Sequence, residues 1–264
     1  MRISFEKRVI ALESRLKGCR NVLTLGVRSN FSDYSAEAAD LLRREKKIYY
    51  PTPFYADLFD TMGKQTFPSY HTYKYAQDKI KQTALFHLLN IPHPKTRVFY
   101  AHRKSIPTIA GYFKFPFIGK VPRGSAMGRG VYLIKNFEDL EVYCDQVSPA
   151  YIQEYLPSDR DIRVVVIGTR IVHAYWRIAP PGEFRSNVAV GATIHFDPVP
   201  QAALDLALHT AKLCRWDDVG IDICRYVDRY YVLEANMKYG KEGFRKAGID
   251  YKSLMEDLIE NGHI

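Results

Sequence analysis

Two apolar runs near the carboxyl end of the chain predict a β-hairpin, and no other segment constrains the fold as strongly. The runs, 220–223 and 230–236, are rich in β-branched and aromatic residues, and a polar turn around 227–229 joins them. Folding the chain about Asp228 places Asp222 opposite Glu234, since both are six residues away. Asn236 shares the face of Glu234, because side chains alternate along a strand.

The hairpin therefore collects two carboxylates and one amide oxygen on one face. Hard oxygen ligands without histidine or cysteine suit Mg²⁺ or Mn²⁺, usually bridged to substrate phosphates. The alternative is a polar, solvent-facing side of an antiparallel pair. These three residues alone leave both interpretations open.

Length and composition exclude several classes of protein. A chain of 264 residues can bury a full core, and 47% hydrophobic with 25% charged residues is ordinary for a globular protein. The longest apolar run is too short for a transmembrane helix, and the first residues lack a signal-peptide core. We therefore expect no membrane association. Four scattered cysteines without C-x-x-C spacing favour a reducing cytoplasm over a zinc site or disulfide framework: Cys19, Cys144, Cys214 and Cys224.

The net charge of +9 predicts an anionic partner. Nucleic acid, an acidic polypeptide and a phosphorylated cofactor would all satisfy it. The basic residues are spread along the chain, whereas DNA-binding proteins usually concentrate them in a stripe or a known module. We therefore do not expect nucleic-acid binding as the main role.

The first 75 residues predict a small α/β unit. Its expected elements are a weakly patterned helix over 1–20, a strand at 21–27, a helix over 36–43 capped by Ser35, and a strand at 48–50. A segment rich in proline, serine and tyrosine, 67–75, reads as a linker.

The remaining residues, 76–264, alternate between helical and strand patterns. The predicted helices are 76–89, 137–144, 200–214 and 251–261. The predicted strands are 96–100, 115–121, 151–156, and two hairpins at 162–176 and 219–236.

A lysine and a glycine-rich segment form the first candidate ligand site of this region. Lys120 ends a strand and could supply a charge for phosphate oxygens. Residues 122–131 follow and include Gly128 and Gly130, which would let backbone N–H groups approach a polyphosphate. A mobile surface hairpin is the alternative.

Further candidates stand after the next strands. Glu154 and Tyr155 end an apolar strand whose backbone could pair with an adenine edge, although a plain strand end is the alternative. Arginines on turns often neutralise a transferring phosphoryl group. Solvated charges capping a hairpin are the competing interpretation of such arginines. The arginines concerned are Arg163, Arg177 and, within the turn 180–187, Arg185.

The order of these parts closely resembles that of ATP-grasp carboxylate–amine ligases, in particular the RimK-like branch. The resemblance covers residues 76–264. It is carried by Asp78-Lys79, Lys120 with its glycine-rich segment, Gln153-Glu154-Tyr155-Leu156, Asp161-Ile162-Arg163, Phe184-Arg185-Ser186-Asn187, and Asp222 with Glu234 and Asn236.

The resemblance implies an α/β (α+β) ATP-grasp fold, in which two α/β subdomains grip ATP. A small N-terminal α/β domain over 1–75 would precede the ATP-grasp domain at 76–264, with a lid subdomain at about 108–156. ATP and two Mg²⁺ ions, or Mn²⁺, are the implied cofactors.

Residue roles also follow from the resemblance. Lys79 and Lys120 should contact ATP phosphates together with the glycine-rich lid, Glu154 and Tyr155 should hold adenine, and Asp161 should bind the nucleoside. The loop residues Arg185, Ser186 and Asn187 should face the phosphates or the acyl-phosphate, with Arg163 and Arg177 as further anion contacts. Asp222, Glu234 and Asn236 should hold the metal ions.

The implied reaction activates a substrate carboxylate as an acyl-phosphate and then joins it to an amine, with glutamate-like amino acids as expected substrates. A kinase acting on a non-carboxylate acceptor and a basic binding protein with a vestigial ATP site are the alternatives. The family commonly reads Ser-Pro-Gly after the last metal ligand, whereas 237–244 differs here. This segment borders the acceptor side. The acceptor, acidic if the net charge is a guide, therefore remains open, as does the oligomeric state.

Overall fold

Three β-sheets follow one another along the described chain. The structure is a computed structural model, and it describes residues 8–101, 105–124 and 130–264. One sheet is parallel and two are antiparallel. This arrangement confirms the predicted mixed α/β class.

The N-terminal sheet is parallel, with the strand order β2-β1-β3-β4. Its strands are β1 (Val9–Ala11), β2 (Val22–Thr24), β3 (Lys47–Tyr49) and β4 (Gln65–Phe67). The helices of this region are α1 (Ala36–Arg44), α2 (Thr52–Thr61) and α3 (Tyr70–Lys74). As predicted, the Ser35 side chain caps α1 by accepting from the Ala38 amide.

Two sequence predictions in this region are wrong. Within 1–20 the described residues form β1 and a short 3₁₀ turn (Ser14–Leu16), because β1 pairs with both β2 and β3 and buries Ile10 and Ala11. The weak helical pattern is overridden by this pairing. The expected linker 67–75 contains α3, which Ser69 caps.

The second sheet has the order β5-β8-β6-β7 and is antiparallel. Its strands are β5 (Thr96–Phe99), β6 (Phe117–Lys120), β7 (Val131–Ile134) and β8 (Ala150–Glu154), with helices α5 (Ile106–Tyr112) and α6 (Phe137–Gln146). The helices and strands share an apolar core that includes Ile109, Phe117 and Tyr143. The core anchors β6, so Lys120 stands at the last position of a rigid strand.

The third sheet is also antiparallel, with the order β11-β10-β9-β12-β13. Its strands are β9 (Arg160–Ile167), β10 (Arg170–Ile178), β11 (Thr193–His195), β12 (Asp218–Tyr226) and β13 (Arg229–Asn236). The associated helices are α4 (Lys79–Leu88), α7 (Gln201–Cys214), α8 (Glu242–Lys246) and α9 (Tyr251–Glu260).

Alternation along β9 explains why one face of this sheet is part apolar and part polar. Ile162, Val164 and Val166 pack in one core with α4 and α7, whereas Val165 and Ile167 pack on the opposite side with α9 and the N-terminal sheet. Each such side chain contributes about 1.5–3 kcal/mol when fully buried. The start of β9 has the polar residues Asp161 and Arg163 in place of that second apolar contact.

Within the described residues, none of the helices combines the length and apolar character needed to cross a lipid bilayer.

Candidate functional site

A cleft of about 120 Å³ lies between the second and third sheets. The second sheet and the strand end that follows it contribute Ile118, Lys120, Val131, Gln153, Glu154, Tyr155 and Leu156 to its lining. The third sheet contributes Asp161, Arg177, Asp222, Leu233 and Glu234, and the loop after β10 contributes Phe184, Arg185, Ser186 and Asn187. Most of the residues predicted for a nucleotide and metal site therefore line one cleft.

The predicted pairing of the last hairpin is confirmed. Asp222 lies opposite Glu234 in the register of β12 and β13. The Asn236 amide nitrogen donates to Asp222 Oδ2 at 3.1 Å, so these three side chains share one face.

Asp222 is also held by two arginines. Arg163 donates to both of its carboxylate oxygens, with Nη2 at 3.0 Å from Oδ2, and Arg177 Nη2 lies 3.1 Å from Oδ2. Burial alone would raise the pKa of Asp222, but the two guanidinium groups outweigh it and hold that pKa below its ordinary value. Asp222 is thus a carboxylate that stays ionised in the interior.

A second buried ion pair lies beside the first. Arg177 binds Asp161 in a bidentate manner, with Nε–Oδ1 and Nη2–Oδ2 distances of 2.7 and 2.5 Å. Burial raises the pKa of Asp161, and Arg177 and a hydrogen bond with Ser186 oppose this rise. Arg177 therefore bridges Asp161 and Asp222 on neighbouring parts of the sheet.

The two predicted phosphate-binding lysines approach Glu234 from different elements. Lys79 begins α4, whose N-cap is Asp78, and its Nζ lies 3.4 Å from Glu234 Oε1. Burial lowers the pKa of Lys120 to about 8, the Glu234 carboxylate opposes this fall, and Lys79 adds to it. The two ammonium groups thus repel each other, which an anion between them would relieve.

The predicted adenine contact lies at the end of β8. The Glu154 amide donates to the Lys95 carbonyl at 2.8 Å, and Glu154 Oε1 accepts from the Lys95 amide at 2.5 Å. Among the described residues, no backbone hydrogen bond joins Tyr155 or Leu156 to another group. A strand end of this kind can pair with the edge of a planar base.

Arg185 lines the cleft but is occupied by its neighbour Glu183. Its Nη2 lies 2.7 Å from Glu183 Oε2, and its Nε donates to Oε1 at 2.9 Å. Hydrogen bonding from Arg185 lowers the pKa of Glu183 to about 2. Arg185 must therefore leave this carboxylate, or share it, to bind a substrate anion.

Asp222, Glu234 and Asn236 offer the types of donor atom that a divalent ion prefers, although they do not form an enclosed metal site. No cluster of three histidine, cysteine, aspartate or glutamate side chains suited to a metal occurs in the described part of the chain. The candidate set offers two carboxylates and an amide oxygen, which are donor types that Mg²⁺ prefers. Both oxygens of Asp222 already accept hydrogen bonds here, from Arg163 and Asn236, and Oδ2 also contacts Arg177, so Asp222 would have to share them with a metal. Glu234 is 24% exposed and is the more accessible of the two carboxylates.

The other predicted residues differ in how they meet the cleft. Arg163 is buried behind Asp222 and is not part of the cleft lining. Gly130 has a positive φ of 70°, and its carbonyl accepts from the Val121 amide. Gly128 lies outside the described residues.

Sequence reasoning missed the apolar walls of the cleft. Ile118, Val131 and Leu233 line it together with Phe184. The strand alternation of β6 and β7 could have indicated the first two. Nothing in the sequence alone indicates Leu233, which reaches the cleft through a register shift in β13.

The chain is similar to known proteins in sequence. The sequence model of the RimK-like ATP-grasp domain matches residues 76–259. A coenzyme gamma-F420-2:alpha-L-glutamate ligase of Methanocaldococcus jannaschii is 29% identical over 69% of this chain and 65% of its own length. A ribosomal protein bS6–L-glutamate ligase of Salmonella paratyphi B is 29% identical over 70% of this chain and 64% of its own length. The chain thus spans just under two thirds of the length of these relatives.

The chain is also similar in fold to solved structures. The ATP-grasp ligase PsnB, in complex with a phosphomimetic variant of its minimal precursor, Mg and ADP, matches with a TM-score of 0.68 at 15% identity. The match covers 97% of this chain and 98% of PsnB. At this identity the likeness shows the fold alone, and it confirms the predicted ATP-grasp architecture.

Proposed function

This chain belongs to the RimK-like ATP-grasp family, and from that premise we propose that it is an ATP-dependent carboxylate–amine ligase. Two of its relatives are named as glutamate ligases, one for a coenzyme and one for a ribosomal protein. We propose glutamate or a similar amino acid as one substrate. The acceptor is either a small molecule or a polypeptide.

One observation carries the proposal. Lys79 and Lys120, which come from different elements, both interact with Glu234, and Lys120 and Glu234 line the cleft between the two sheets. Paired cations facing a partly exposed carboxylate are what a metal–polyphosphate complex requires. A solvated hairpin face would not need to bury both lysines.

The proposed roles follow from position. Lys79 and Lys120 would neutralise phosphate oxygens, and Glu154 and Tyr155 would position the base, with Asp161 on the nucleoside. Asp222, Glu234 and Asn236 would hold Mg²⁺, two ions by analogy with the family, and Mn²⁺ has the same ligand preference. The metal would supply neutralisation of charge on the phosphates.

The reaction itself needs orientation and charge more than covalent catalysis. The substrate carboxylate attacks the γ-phosphorus, ADP leaves, and the acyl-phosphate formed is then attacked by an amine with release of phosphate. Arg177 and Arg185 at the cleft would stabilise the charge that develops on the transferring group. Arg163 would act through Asp222, which it holds in place.

The same premise supports a division of the chain. We propose an N-terminal domain over 1–75 and an ATP-grasp domain over 76–264 with a lid at about 108–156. The family match beginning at residue 76 supports the first boundary, and the separate second sheet supports the lid. A cytoplasmic location is supported by four buried cysteines that form no disulfide bond.

An ADP-release assay with ATP, Mg²⁺, L-glutamate and a fractionated cell extract tests the function. We expect ADP formation coupled to an acceptor that gains the mass of one amino-acid residue. ADP formation with a phosphorylated product would reject the ligase and indicate a kinase. Binding of neither ATP nor Mg²⁺ would reject both.

A further inference from the structure

A second cavity, which we call the switch-point cavity, lies at the N-terminal sheet. Its volume is about 460 Å³, and its lining includes Arg15, Val27, Tyr50 and Pro68. These residues follow β1, β2, β3 and β4 respectively. The cavity therefore stands at the carboxyl ends of all four parallel strands.

The strand order makes this edge a candidate ligand site. In the order β2-β1-β3-β4, β2 lies on one side of β1 and the chain then crosses to β3 on the other side, so the crevice opens between β1 and β3. Open parallel sheets bind ligands at such a switch point, outside the carboxyl ends of their strands. Arg15 and Tyr50 border this crevice.

The opposite wall belongs to the segment that follows β13. Met237, Lys238 and Lys241 line the cavity, and Met237 is the residue directly after Asn236. The switch-point cavity thus begins where the candidate metal hairpin ends.

Arg15 is held in place with donor capacity to spare. Its guanidinium lies 4.5 and 5.1 Å from the ring centres of Tyr239 and Tyr251. Its Nε donates to the Tyr251 hydroxyl at 3.0 Å and its Nη1 to the Tyr239 carbonyl at 3.3 Å. Its Nη2 is buried and has no hydrogen-bond partner among the described residues, which is costly for a charged donor.

The surrounding charges leave an excess of cations. Lys241 Nζ lies 3.4 Å from the Arg15 carbonyl, and burial followed by repulsion from Arg15 lowers the pKa of Lys241. Glu13 is the acidic residue of the cavity lining, and Lys238 Nζ lies 3.7 Å from it. A small anion would balance the remaining charge.

The buried carboxylate of Asp218 meets this need only in part. Asp218 accepts hydrogen bonds from the Tyr50 and Tyr239 hydroxyls at 2.8 and 2.5 Å. Burial raises its pKa to about 6 even though Arg15 opposes the rise. The charge of Asp218 therefore acts on Arg15, but its hydrogen bonds come from the two tyrosines and Arg15 Nη2 is left without a hydrogen-bond partner among the described residues.

We propose that the switch-point cavity binds the amino-acid substrate through its α-carboxylate, with Arg15 and Lys241 as the anion contacts. The inference rests on the proposed ligase function. A carboxylate neutralised by a fixed guanidinium is a poor nucleophile, so the α-carboxylate bound by Arg15 is expected to stay unreacted.

Calorimetric titration tests this assignment. The enzyme is first loaded with a non-hydrolysable ATP analogue and Mg²⁺ and then titrated with L-glutamate or with L-isoglutamine, in which the α-carboxylate is an amide. We expect glutamate to bind at least about tenfold more tightly than isoglutamine, since one charge-assisted contact is lost. Arg15→Gln and Lys241→Gln should each weaken glutamate binding about tenfold and leave isoglutamine binding unchanged.

Lys17→Gln is the matched control, because Lys17 is exposed and two residues from Arg15. It should bind both ligands as the wild type does. Should Arg15→Gln fail to fold in a melting experiment, Lys241→Gln and protection of Arg15 from phenylglyoxal by glutamate replace it.

The results separate the two proposals. If the ATP analogue binds while glutamate and isoglutamine bind alike or not at all, the carboxylate assignment is wrong and the ligase proposal is unaffected. If the analogue itself does not bind, the proposed function falls and the assignment falls with it.

Discussion

Asp222 and Glu234 face each other because β13 carries one extra residue. From the turn up to Ile223, which pairs with Val232, the hairpin register would place Leu233 opposite Asp222. The register shifts between Asp222 and Ile223, and Glu234 takes that position instead. Leu233 is left over and lines the cleft. A β-bulge therefore brings both carboxylates to one face.

Loss of the Glu234 charge should slow catalysis strongly without unfolding the protein. We expect Glu234→Gln to lower kcat/KM by about 100-fold, the size typical of removing one pre-organised electrostatic group. Its free energy of unfolding should fall, because the buried ammonium groups of Lys79 and Lys120 lose their shared carboxylate. Asp228→Asn in the turn of the same hairpin is the control, since that carboxylate is 89% exposed. Equal activity of both variants would contradict a metal role for Glu234.

The depressed pKa of Lys120 predicts how ATP affinity depends on pH. Burial lowers this pKa to about 8, so the free enzyme loses the ammonium charge as the pH rises through 8. We expect the Kd for ATP to increase above pH 8 and Lys120→Arg to move that increase to higher pH, because a guanidinium stays charged. Lys114→Arg, an exposed site of the same region, should keep the wild-type profile. A Kd that does not vary between pH 7 and 9.5 would argue against a phosphate contact.

The buried pair of Arg163 and Asp222 should matter for stability. Arg163→Met leaves a buried carboxylate with one guanidinium fewer, and we expect a loss of about 3 kcal/mol in urea unfolding at pH 7. Arg160→Met, which breaks an exposed pair with Asp159, should cost less than about 1 kcal/mol.

The Arg163–Asp222 pair also predicts that the free energy of unfolding decreases at acidic pH. Because the pKa of Asp222 is lowered in the folded state, its contribution is present above the unfolded pKa of about 3.9 and is lost as the pH falls through the folded value. Arg163→Met should therefore lose less stability than the wild type on acidification. Parallel curves for the two proteins would show that Arg163 does not set this pKa.

Metal-dependent nucleotide binding should be visible as stabilisation. ATP with Mg²⁺ at about 100 times its Kd should raise the free energy of unfolding by about 2.7 kcal/mol. Chelation by EDTA should remove most of this gain in the free energy of unfolding. In the Asp222→Asn variant, the stabilisation that ATP still gives should no longer depend on Mg²⁺. The measurement is thermal unfolding at fixed protein concentration. A gain that EDTA leaves intact would contradict a metal at this hairpin.

Local patterns were sufficient for the elements that bear the site. Two apolar runs rich in β-branched and aromatic residues, joined by a polar turn, predicted the hairpin with Asp222 and Glu234, and the apolar strand before Lys120 predicted β6. Such patterns are informative because they depend only on residues that are close together in the sequence. The same reasoning failed for β1, whose three residues are held by strands that begin 11 and 36 residues later.

The sequence by itself determined which chemical groups the chain offers, namely two lysines, an arginine-bearing loop and an oxygen-rich hairpin in an order typical of one family. Only the tertiary structure decided their partners. Lys79 meets Glu234, Arg163 meets Asp222, and Arg15 is enclosed by tyrosines from the other end of the chain. These pairs join residues 59 to 236 positions apart, a separation that local periodicity does not encode. They form because sheet packing brings distant charges into a low-dielectric interior, where each charge needs a counter-charge or a hydrogen bond.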